Sequence, residues 1–333
     1  MSVTPEPIMK IAMGFMAAKY LFAATEIGVF DVLARGPASL GELATSTGIP
    51  SRTLGIVAAA MVSLGLLEQD GSRYRNSETA EAFLADIPGR LDLRPILRYF
   101  DEIVYPRWEK FAEAIRTDQG QPQFSKFTTH QQQMFSAAVE VFSAPGAVAL
   151  AGSYDFGRHH RLLDIAGGTG SFLIAVLQHH NALKGTLFEL PGACAVARQR
   201  LANEPERSRI DVVEGDVFKD PLPGGHDVVL IANVVHVFSA AHNIELMRKI
   251  RAHVMPGTRL LLVDLWTDHS HSQPSAAALM SGQFLLTSGE GQVYSEQEAD
   301  EWLAQTRWKN LSAKHWLARP AVLSQKLFKL GTA

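Results

Sequence analysis

Hydrophobic and polar positions repeat as strand and helix units through the second half of the chain. Short apolar runs predict five strands, at 161–166, 185–190, 210–215, 227–232 and 259–265. Apolar residues at helical spacing predict helices between them, at 171–180, 191–204 and 240–254. Alternating residues in Lys309–Leu317 and Val322–Leu330 predict a terminal hairpin. This order is typical of an α/β domain whose mainly parallel sheet has helices on both faces and an antiparallel edge.

The first half of the chain has helical periodicity nearly throughout. Apolar residues in 7–34 occupy more than one side of a helix, so one face can cover the core while another meets a second copy. Residues 39–79 predict a winged helix, with a capped helix beginning at Ser39, a second helix over 52–66 and a hairpin turning at residues 70–71.

Two amphipathic stretches and one loop complete this half. The helices are predicted over 91–117 and 131–142, and aromatic residues of the first can line a pocket or belong to the core. The segment Asp118–Lys126 is polar and contains Gly120 and Pro122, which favours a loop or a lid.

Composition and charge exclude several classes of protein. The formal net charge is −3, which is too balanced to indicate a polyanionic partner. Cys194 is the single cysteine, so a disulfide within the chain is impossible. His269 and His271 have no further metal ligands that the sequence identifies, so we expect no metal. The most apolar segment, 8–33, is broken by Lys10, Lys19 and Glu26, so we expect no membrane span and a cytoplasmic protein without a signal peptide.

The densest chemical signal lies in residues 161–171, where a strand runs into a glycine-rich turn and a helix. Asp164 stands near the carboxyl end of the predicted strand, and the turn follows with Gly167, Gly168 and Gly170. Glycines allow a ligand to approach the backbone closely. In doubly wound sheets, ligands bind at the carboxyl ends of the strands, so this turn predicts a ligand site.

The next strand ends carry residues suited to a nucleoside. Glu189 ends the second strand and can bind both ribose hydroxyls. The third strand runs into Gly215, Asp216, Val217 and Phe218, where a carboxylate can accept an adenine amino group and an aromatic ring can pack on the base. The fourth strand ends at Asn233 and His236.

These motifs resemble a known family. Asp164-x-x-Gly-Gly-x-Gly, Glu189-Leu190-Pro191, Gly215-Asp216 and Asn233-Val-Val-His236 are similar to those of S-adenosylmethionine-dependent small-molecule O-methyltransferases, above all the plant caffeate-type and bacterial polyketide-tailoring branch. The resemblance implies a Rossmann-like seven-stranded methyltransferase sheet and an N-terminal, mainly helical winged-helix domain that forms a homodimer. We expect a dimerisation domain over 1–95, a helical connector over 96–158 that contributes to the substrate pocket, and an S-adenosylmethionine-binding catalytic domain over 159–333.

The resemblance also assigns roles to individual positions. His236 is the implied general base, and Asp264 matches an acid that orients it. The implied cofactor-binding residues are Asp164, Gly167, Gly168, Gly170, Glu189, Leu190, Gly215, Asp216, Val217, Phe218, Asn233 and Ser143. The implied substrate-binding residues are Trp108, Met134, Phe135, Val139, Met280 and Phe284.

The chain departs from the family pattern around the base. Val237 and Phe238 replace a common aspartate and tryptophan, and Val293 or Gln292 stands where relatives often place a supporting glutamate. Glu290 can substitute for that acid. The departure fits either an acidic acceptor that needs little help or an acceptor atom other than a phenol oxygen. Among the other histidines, only His242 competes closely as the base.

Two classes of function remain open. The sequence favours methyl transfer to a hydroxyl of a small aromatic or polyketide-like acceptor, with transfer to carbon or nitrogen as the alternative on the same fold. A ligand-sensing winged-helix regulator is the alternative from another class. Arg52 is the single basic residue in 39–67, however, and a recognition helix needs basic and polar residues facing a groove. We therefore expect no nucleic-acid partner.

Overall fold

The structure is a computed structural model that describes residues 3–120, 127–310 and 326–332, with the backbone alone at residues 310 and 326–331. The chain divides into two compact units, Met1–Pro106 and Arg107–Ala333. The expected three-part division at residues 95 and 158 stays a prediction.

The first unit is mainly helical. Its helices are α1 (Glu6–Glu26), α2 (Val29–Leu33), α3 (Leu40–Thr47), α4 (Ser51–Ser63), α5 (Glu78–Phe83) and α6 (Arg94–Tyr99), followed by a π-helical turn (Phe100–Val104). Its strands are β1 (Ala38–Ser39), β2 (Leu67–Asp70) and β3 (Arg73–Asn76), in the antiparallel order β1-β3-β2. Two helices followed by a small hairpin confirm the predicted winged helix.

Local sequence explains the limits of α3 and the burial of α4. The Ser39 hydroxyl accepts a hydrogen bond from the backbone N–H of Glu42, and the Glu42 carboxylate accepts one from the Ser39 N–H, which forms a capping box. Leu54, Ala58 and Met61 recur at helical spacing on α4 and are fully buried. This burial shows that α4 supports the core of the first unit.

Helix α1 exposes an apolar surface on the described chain. Its exposed side chains are Ile8, Met9, Ile11, Met13, Phe15 and Met16, and Ile11 is 82% exposed. By length and composition alone, α1 and the later helix Thr129–Ser153 are able to cross a membrane. That test is weak evidence, since core helices of soluble proteins also pass it.

The second unit contains a seven-stranded sheet between helices. Its strands are β4 (Arg161–Ile165), β5 (Lys184–Glu189), β6 (Ile210–Glu214), β7 (Val228–Ala232), β8 (Arg259–Asp264), β9 (Lys309–Asn310) and β10 (Lys326–Thr332). The strand order is β6-β5-β4-β7-β8-β10-β9, and β10 runs antiparallel to both neighbours. The other strand pairs are parallel. The predicted fold class is confirmed, with each central strand ending within one residue of its predicted limits.

Helices cover both faces of this sheet. After α7 (Tyr105–Trp108) come α8 (Phe111–Thr117), α9 (Thr129–Ser153), α10 (Ser171–His179), α11 (Pro191–Leu201), α12 (Ala240–His253), α13 (Ser275–Ser288) and α14 (Glu296–Gln305). Of these helices, α9, α10 and α11 pack in one core cluster of the sheet, and α12 and α14 pack in the other. Leu162 belongs to the cluster with α9, α10 and α11, whereas its neighbour Leu163 belongs to the cluster with α12 and α14. Strand order reverses between β4 and β7, and the crevice at such a point is the usual ligand site of an open α/β sheet.

The predicted helix over 131–142 is too short. Helix α9 begins at Thr129, capped by Thr128, and continues through Pro145 to Ser153. A proline inside a helix removes one hydrogen bond and costs about 3 kcal/mol. Burial of Ala147, Leu150 and Ala151 beyond the proline compensates for that cost, because these residues pack into the core beside α10.

Two predicted segments lie partly outside the described residues. Of the predicted loop 118–126, the structure describes Asp118–Gly120 only. Of the predicted terminal hairpin, residues 311–325 lie outside the description, while Lys309 pairs antiparallel with Thr332 in the described part.

Candidate active site

The glycine turn after β4 has a backbone that most side chains would prevent. Gly168 and Gly170 have positive φ angles of 61° and 85°. A Cβ atom on Gly167 would lie 2.3 Å from Oδ2 of Asp164. Gly168 and Gly170 therefore allow the left-handed backbone of the turn, and Gly167 makes room for the Asp164 carboxylate.

Asp164 is fully buried, and its carboxylate is unsatisfied. Neither of its oxygens has a hydrogen-bond partner among the described residues. Burial, with a smaller contribution from the Glu189 carboxylate, raises the pKa of Asp164 to about 7. An unpaired buried carboxylate is costly, and a cationic group bound beside it would remove that cost.

Glu189 faces the glycine turn from the end of β5. Its carboxylate accepts hydrogen bonds from the N–H of Gly168 at 2.9 Å and from the N–H of Leu190 at 2.7 Å. Burial raises the pKa of Glu189, and the two N–H donors oppose part of that rise. The structure thus brings Asp164, the turn and Glu189 together, as expected.

The end of β6 forms the next part of the site. Gly215 is in close contact with Phe188, because a Cβ atom there would lie 2.4 Å from the ring. The Asp216 carboxylate accepts the N–H of Phe218 at 2.9 Å and pairs with Lys219 at 2.8 Å, and this pairing lowers the pKa of Asp216. Val217 is buried in the core, so only its backbone is available to a ligand.

Two aromatic rings stand at this end of the site. The Phe218 ring is half-buried and packs edge-on against Phe238, with ring centroids 5.0 Å apart. Phe238 therefore occupies the tryptophan position of the family pattern as a neighbour of Phe218.

Asn233 connects the end of β7 to α9. It has a positive φ of 58°, its N–H donates to the carbonyl of Val263, and its side-chain amide donates to the hydroxyl of Ser143 at 3.2 Å. Ser143 is buried. These contacts bring two predicted cofactor residues, 90 positions apart, to the same edge of the sheet.

His236 and Asp264 form a buried pair. His236 lies in the short helix Val235–Val237, and its Nδ1 donates to Oδ1 of Asp264 at 2.5 Å. The same carboxylate accepts the N–H groups of Val235 at 3.1 Å and Leu265 at 2.7 Å. Because an ionised carboxylate only accepts, Nδ1 is the donor in this contact, which leaves Nε2 as the other ring nitrogen of His236.

Two residues that sequence reasoning missed hold the His236 segment in place. The Asn243 side chain is fully buried and donates to the carbonyls of Val235 and Phe238. Gly291 approaches so closely that a Cβ atom on it would lie 2.1 Å from the carbonyl oxygen of His236. Neither residue has a local sequence signal, because each acts on a segment distant from its own element.

The proposed substitution by Glu290 is wrong. Its carboxylate binds Nδ1 of His242 at 2.7 Å, on α12, and not His236. Val293 is buried, and its N–H donates to the hydroxyl of Ser281, so the position of the family glutamate is apolar here. Asp264 is therefore the carboxylate that contacts His236 in the described structure.

Helix α13 contacts both His236 and Trp108. The Phe284 ring stacks on the His236 imidazole, with centroids 3.8 Å apart and planes 19° apart. The Trp108 indole N–H donates to the side-chain carbonyl of Gln283 at 3.0 Å, and the Trp108 ring packs against Phe111. Gly282 lies under both rings, which leaves no free space for a larger residue.

The remaining predicted substrate residues lie on α9 and α13. Met134 is buried, Val139 and Met280 are half-buried, and the half-buried Phe135 packs against Phe127. Their roles toward a substrate stay predictions. Within residues 3–120 and 127–310, the structure contains no cluster of three or more histidine, cysteine or acidic side chains that can hold a metal ion.

Fold and site together define an α/β protein whose ligand crevice carries a buried, unpartnered carboxylate and a histidine–aspartate pair. Comparison with known families agrees. A model described as the O-methyltransferase domain matches residues 108–308, and one described as the O-methyltransferase dimerisation domain matches residues 9–86.

Known relatives share most of the chain. The 3-hydroxy-5-methyl-1-naphthoate 3-O-methyltransferase of Streptomyces sahachiroi is 34% identical over 310 residues, covering 90% of this chain and 88% of the relative. The acetylserotonin O-methyltransferase of Homo sapiens is 30% identical over 300 residues, covering 84% and 86%.

Solved structures agree as well. PigF with SAH has a TM-score of 0.86 at 26% identity and covers 99% of this chain and 100% of its own. The mitomycin 7-O-methyltransferase MmcR has a TM-score of 0.84 at 25% identity, with coverage of 98% and 97%. The chain belongs to the S-adenosylmethionine-dependent O-methyltransferases. Its cofactor is S-adenosylmethionine, and the unpartnered Asp164 carboxylate fits the ammonium group at the amino-acid end of that molecule.

Proposed function

We propose that this enzyme methylates a hydroxyl group of a small aromatic or polyketide-like natural product, with His236 as the general base. The observation that carries the proposal is the hydrogen bond from His236 to the buried Asp264 carboxylate. It fixes the tautomer that leaves Nε2 as an acceptor for the hydroxyl proton. A histidine held in place by a carboxylate suits the deprotonation of a phenol.

A flat aromatic acceptor fits the surroundings of the base. The imidazole of His236 stacks on the Phe284 ring with nearly parallel planes. A flat acceptor ring that lies parallel to these two rings would present its hydroxyl to the edge of the imidazole. The relatives named above include one that acts on a hydroxynaphthoate and one on acetylserotonin, and both names denote aromatic acceptors. An aromatic hydroxyl is accordingly the acceptor we favour.

The cofactor-binding residues follow from the same edge of the sheet. We assign Asp164 to the ammonium group, Glu189 to the ribose hydroxyls, and Asp216 with Phe218 to the adenine. The turn Gly167–Gly170, Leu190, Gly215, Val217, Ser143 and Asn233 form the walls around them. When bound, S-adenosylmethionine supplies a methyl group already activated by the sulfonium charge. The protein therefore has to align the acceptor and remove its proton.

The acceptor pocket and the assembly are part of the same proposal. Trp108, Met134, Phe135, Val139, Met280 and Phe284 are the proposed substrate-binding residues. The exposed apolar face of α1 lies within the matched dimerisation domain, and we assign it to a homodimer interface. We propose a cytoplasmic enzyme without a nucleic-acid, membrane or metal partner.

The direct test is a product analysis. The protein would be incubated with labelled S-adenosylmethionine and a panel of phenols, naphthols and hydroxylated quinones, and the methyl position located by NMR. Label on an oxygen supports the proposal. Label on carbon or nitrogen favours the alternative transferase, and a specific gel shift without any methylated product favours the winged-helix regulator.

The role of the base has its own test. Replacing His236 by Gln should lower kcat about 10³-fold, within the range usual for a lost general base, because the acceptor proton has no place to go. Affinity for S-adenosylhomocysteine, measured by calorimetry, should stay within about twofold. His242→Gln is the matched control, since His242 also pairs with a carboxylate. Equal turnover in the wild type and His236→Gln would remove His236 from the mechanism.

A further inference from the structure

Arg200 makes an unusual set of contacts near the end of α11. Its Nη1 atom donates to the hydroxyl of Thr169 at 2.8 Å and to the hydroxyl of Ser171 at 2.7 Å. The same nitrogen lies 3.5 Å from the carboxylate of Glu140 on α9. One side chain thus joins the glycine turn, the first residue of α10 and the middle of α9.

The location of this guanidinium is electrostatically unfavourable for α10. The N-terminal end of a helix carries a partial positive charge, and a cation there is destabilising. Gly170 is the N-cap residue of α10 and offers no side-chain acceptor to the helix N–H groups. Arg200 does not supply that acceptor, because a guanidinium only donates hydrogen bonds. Glu140 offsets the charge, and the two hydrogen bonds to hydroxyl groups remain as the reason for an arginine at this place.

The Thr169 hydroxyl is the contact that matters for the ligand site. Thr169 is buried and lies between Gly168 and Gly170, both of which have positive φ angles. The Gly168 N–H binds the carboxylate of Glu189. A turn of two glycines has little conformational preference of its own, so an external anchor on its central residue restricts the backbone at small cost.

We propose that Arg200 is a positioning residue that holds the glycine turn in its cofactor-binding conformation through Thr169 and Ser171. The inference rests on the assignment of this turn to S-adenosylmethionine, and it is independent of the acceptor and of His236. Arg200 does its work before the cofactor arrives, because pre-ordering the turn lowers the entropy lost on binding.

The chain offers a matched control in Arg209, which contacts the other end of α10. Arg209 donates to the carbonyls of Leu177, His180 and Leu183 and so supports the opposite end of α10. Its replacement should destabilise α10 without reaching the glycine turn. A comparison of Arg200→Gln with Arg209→Gln therefore separates positioning of the turn from general loss of stability.

The test measures S-adenosylhomocysteine binding by calorimetry and hydrogen exchange of the peptide covering residues 166–173, without any acceptor. Arg200→Gln should weaken binding about tenfold, the loss expected from one or two hydrogen bonds, and speed exchange in that peptide. Arg200→Lys should show a smaller loss, since it keeps the charge and one donor. Arg209→Gln should leave the dissociation constant within about twofold even though its melting temperature falls.

A second variant keeps the proposal testable if Arg200→Gln does not fold. Thr169→Val removes the hydroxyl at nearly constant shape and should reproduce most of the affinity loss. In a double-mutant cycle, adding Thr169→Val to Arg200→Gln should cost little more than Arg200→Gln alone. Unchanged affinity and exchange in both single variants would overturn the proposal, as would equal losses in Arg209→Gln. A failure of acceptor methylation alone would count against the proposed function and leave this inference standing.

Discussion

The carboxyl ends of β4 and β8 both carry a buried aspartate, yet the two have opposite surroundings. Asp264 accepts hydrogen bonds from the His236 ring and from two backbone N–H groups. Asp164 has no partner for either oxygen among the described residues. The protein supplies hydrogen-bond donors to the Asp264 carboxylate, whereas the Asp164 carboxylate is free to bind a ligand.

This difference teaches how one sheet edge performs two tasks. A fully satisfied carboxylate is rigid and holds its neighbour, which suits the orientation of a base. An unsatisfied one raises the free energy of the cofactor-free protein and contributes that free energy to binding of a cation. The contrast predicts that the same substitution, aspartate to asparagine, shifts the melting temperature in opposite directions at the two positions.

The largest effect is expected from Asp264→Asn. An amide at this place can present N–H to Nδ1 and favour the wrong tautomer of His236, so kcat should fall by about 10² or more. The melting temperature should fall as well, and S-adenosylhomocysteine affinity should hardly change. Asp227→Asn is the control, because Asp227 also accepts backbone N–H groups but at the amino ends of the strands. An equal loss of kcat in both variants would mean that the effect is general.

Asp164→Asn should reverse the pattern. Removing an unpaired buried carboxylate should raise the melting temperature of the cofactor-free protein at pH 8, because the neutral amide costs less to bury. Affinity for S-adenosylhomocysteine should fall about 10- to 100-fold, the usual worth of a charge-assisted hydrogen bond. Thermal unfolding with and without ligand measures both quantities. A lower melting temperature together with unchanged affinity would show that Asp164 has a structural role only.

The pH dependence sharpens the same contrast. The pKa of Asp164 is raised to about 7 from an ordinary 3.8, so its contribution to stability is present at low pH and is lost as the pH rises through about 7. The cofactor-free protein should lose stability from about pH 4 to about pH 7, whereas affinity for the cationic ligand should rise by up to about tenfold between about pH 6 and about pH 8.

Calorimetry in buffers of different ionisation enthalpy should detect proton release on binding. The neighbouring carboxylate, Glu189, also has a raised pKa, so the number of protons released on binding is a property of both carboxylates together. Asp164→Asn should remove most of this release. Proton release that persists unchanged in the variant would assign it to Glu189 or to the ligand.

The smallest effect is expected from Glu290→Gln. Glu290 pairs with His242 near the surface and does not contact His236, so kcat should change less than about threefold, as for a partly exposed ion pair. Steady-state kinetics with one acceptor would measure it. A loss comparable to that of Asp264→Asn would move the supporting acid from Asp264 to Glu290.

Much of this site could be predicted because its signals are local. The turn Gly167–Gly170 follows its strand directly, and Glu189, Asp216 and His236 each stand at the end of an apolar run. Strand ends of a parallel sheet meet at one edge, so sequence position alone brings these residues together.

The missing parts depend on contacts between distant segments. Trp108 meets Gln283 across 175 positions and Arg200 meets Thr169 across 31, and no periodicity links such pairs. Glu290 was considered as a substitute for the family acid because it stands near Val293 in the sequence, and no sequence signal shows that its carboxylate binds His242. Pro145 is a local signal for a helix end, but α9 continues past it because Ala147, Leu150 and Ala151 are buried in the core.

Gly291 limits how this enzyme can diversify. Its backbone lies against the carbonyl of His236 with room for a hydrogen atom and no more. A loop graft over 289–294 must therefore keep glycine at this position or displace His236. Under the proposed function, replacing this glycine should change acceptor range and turnover together.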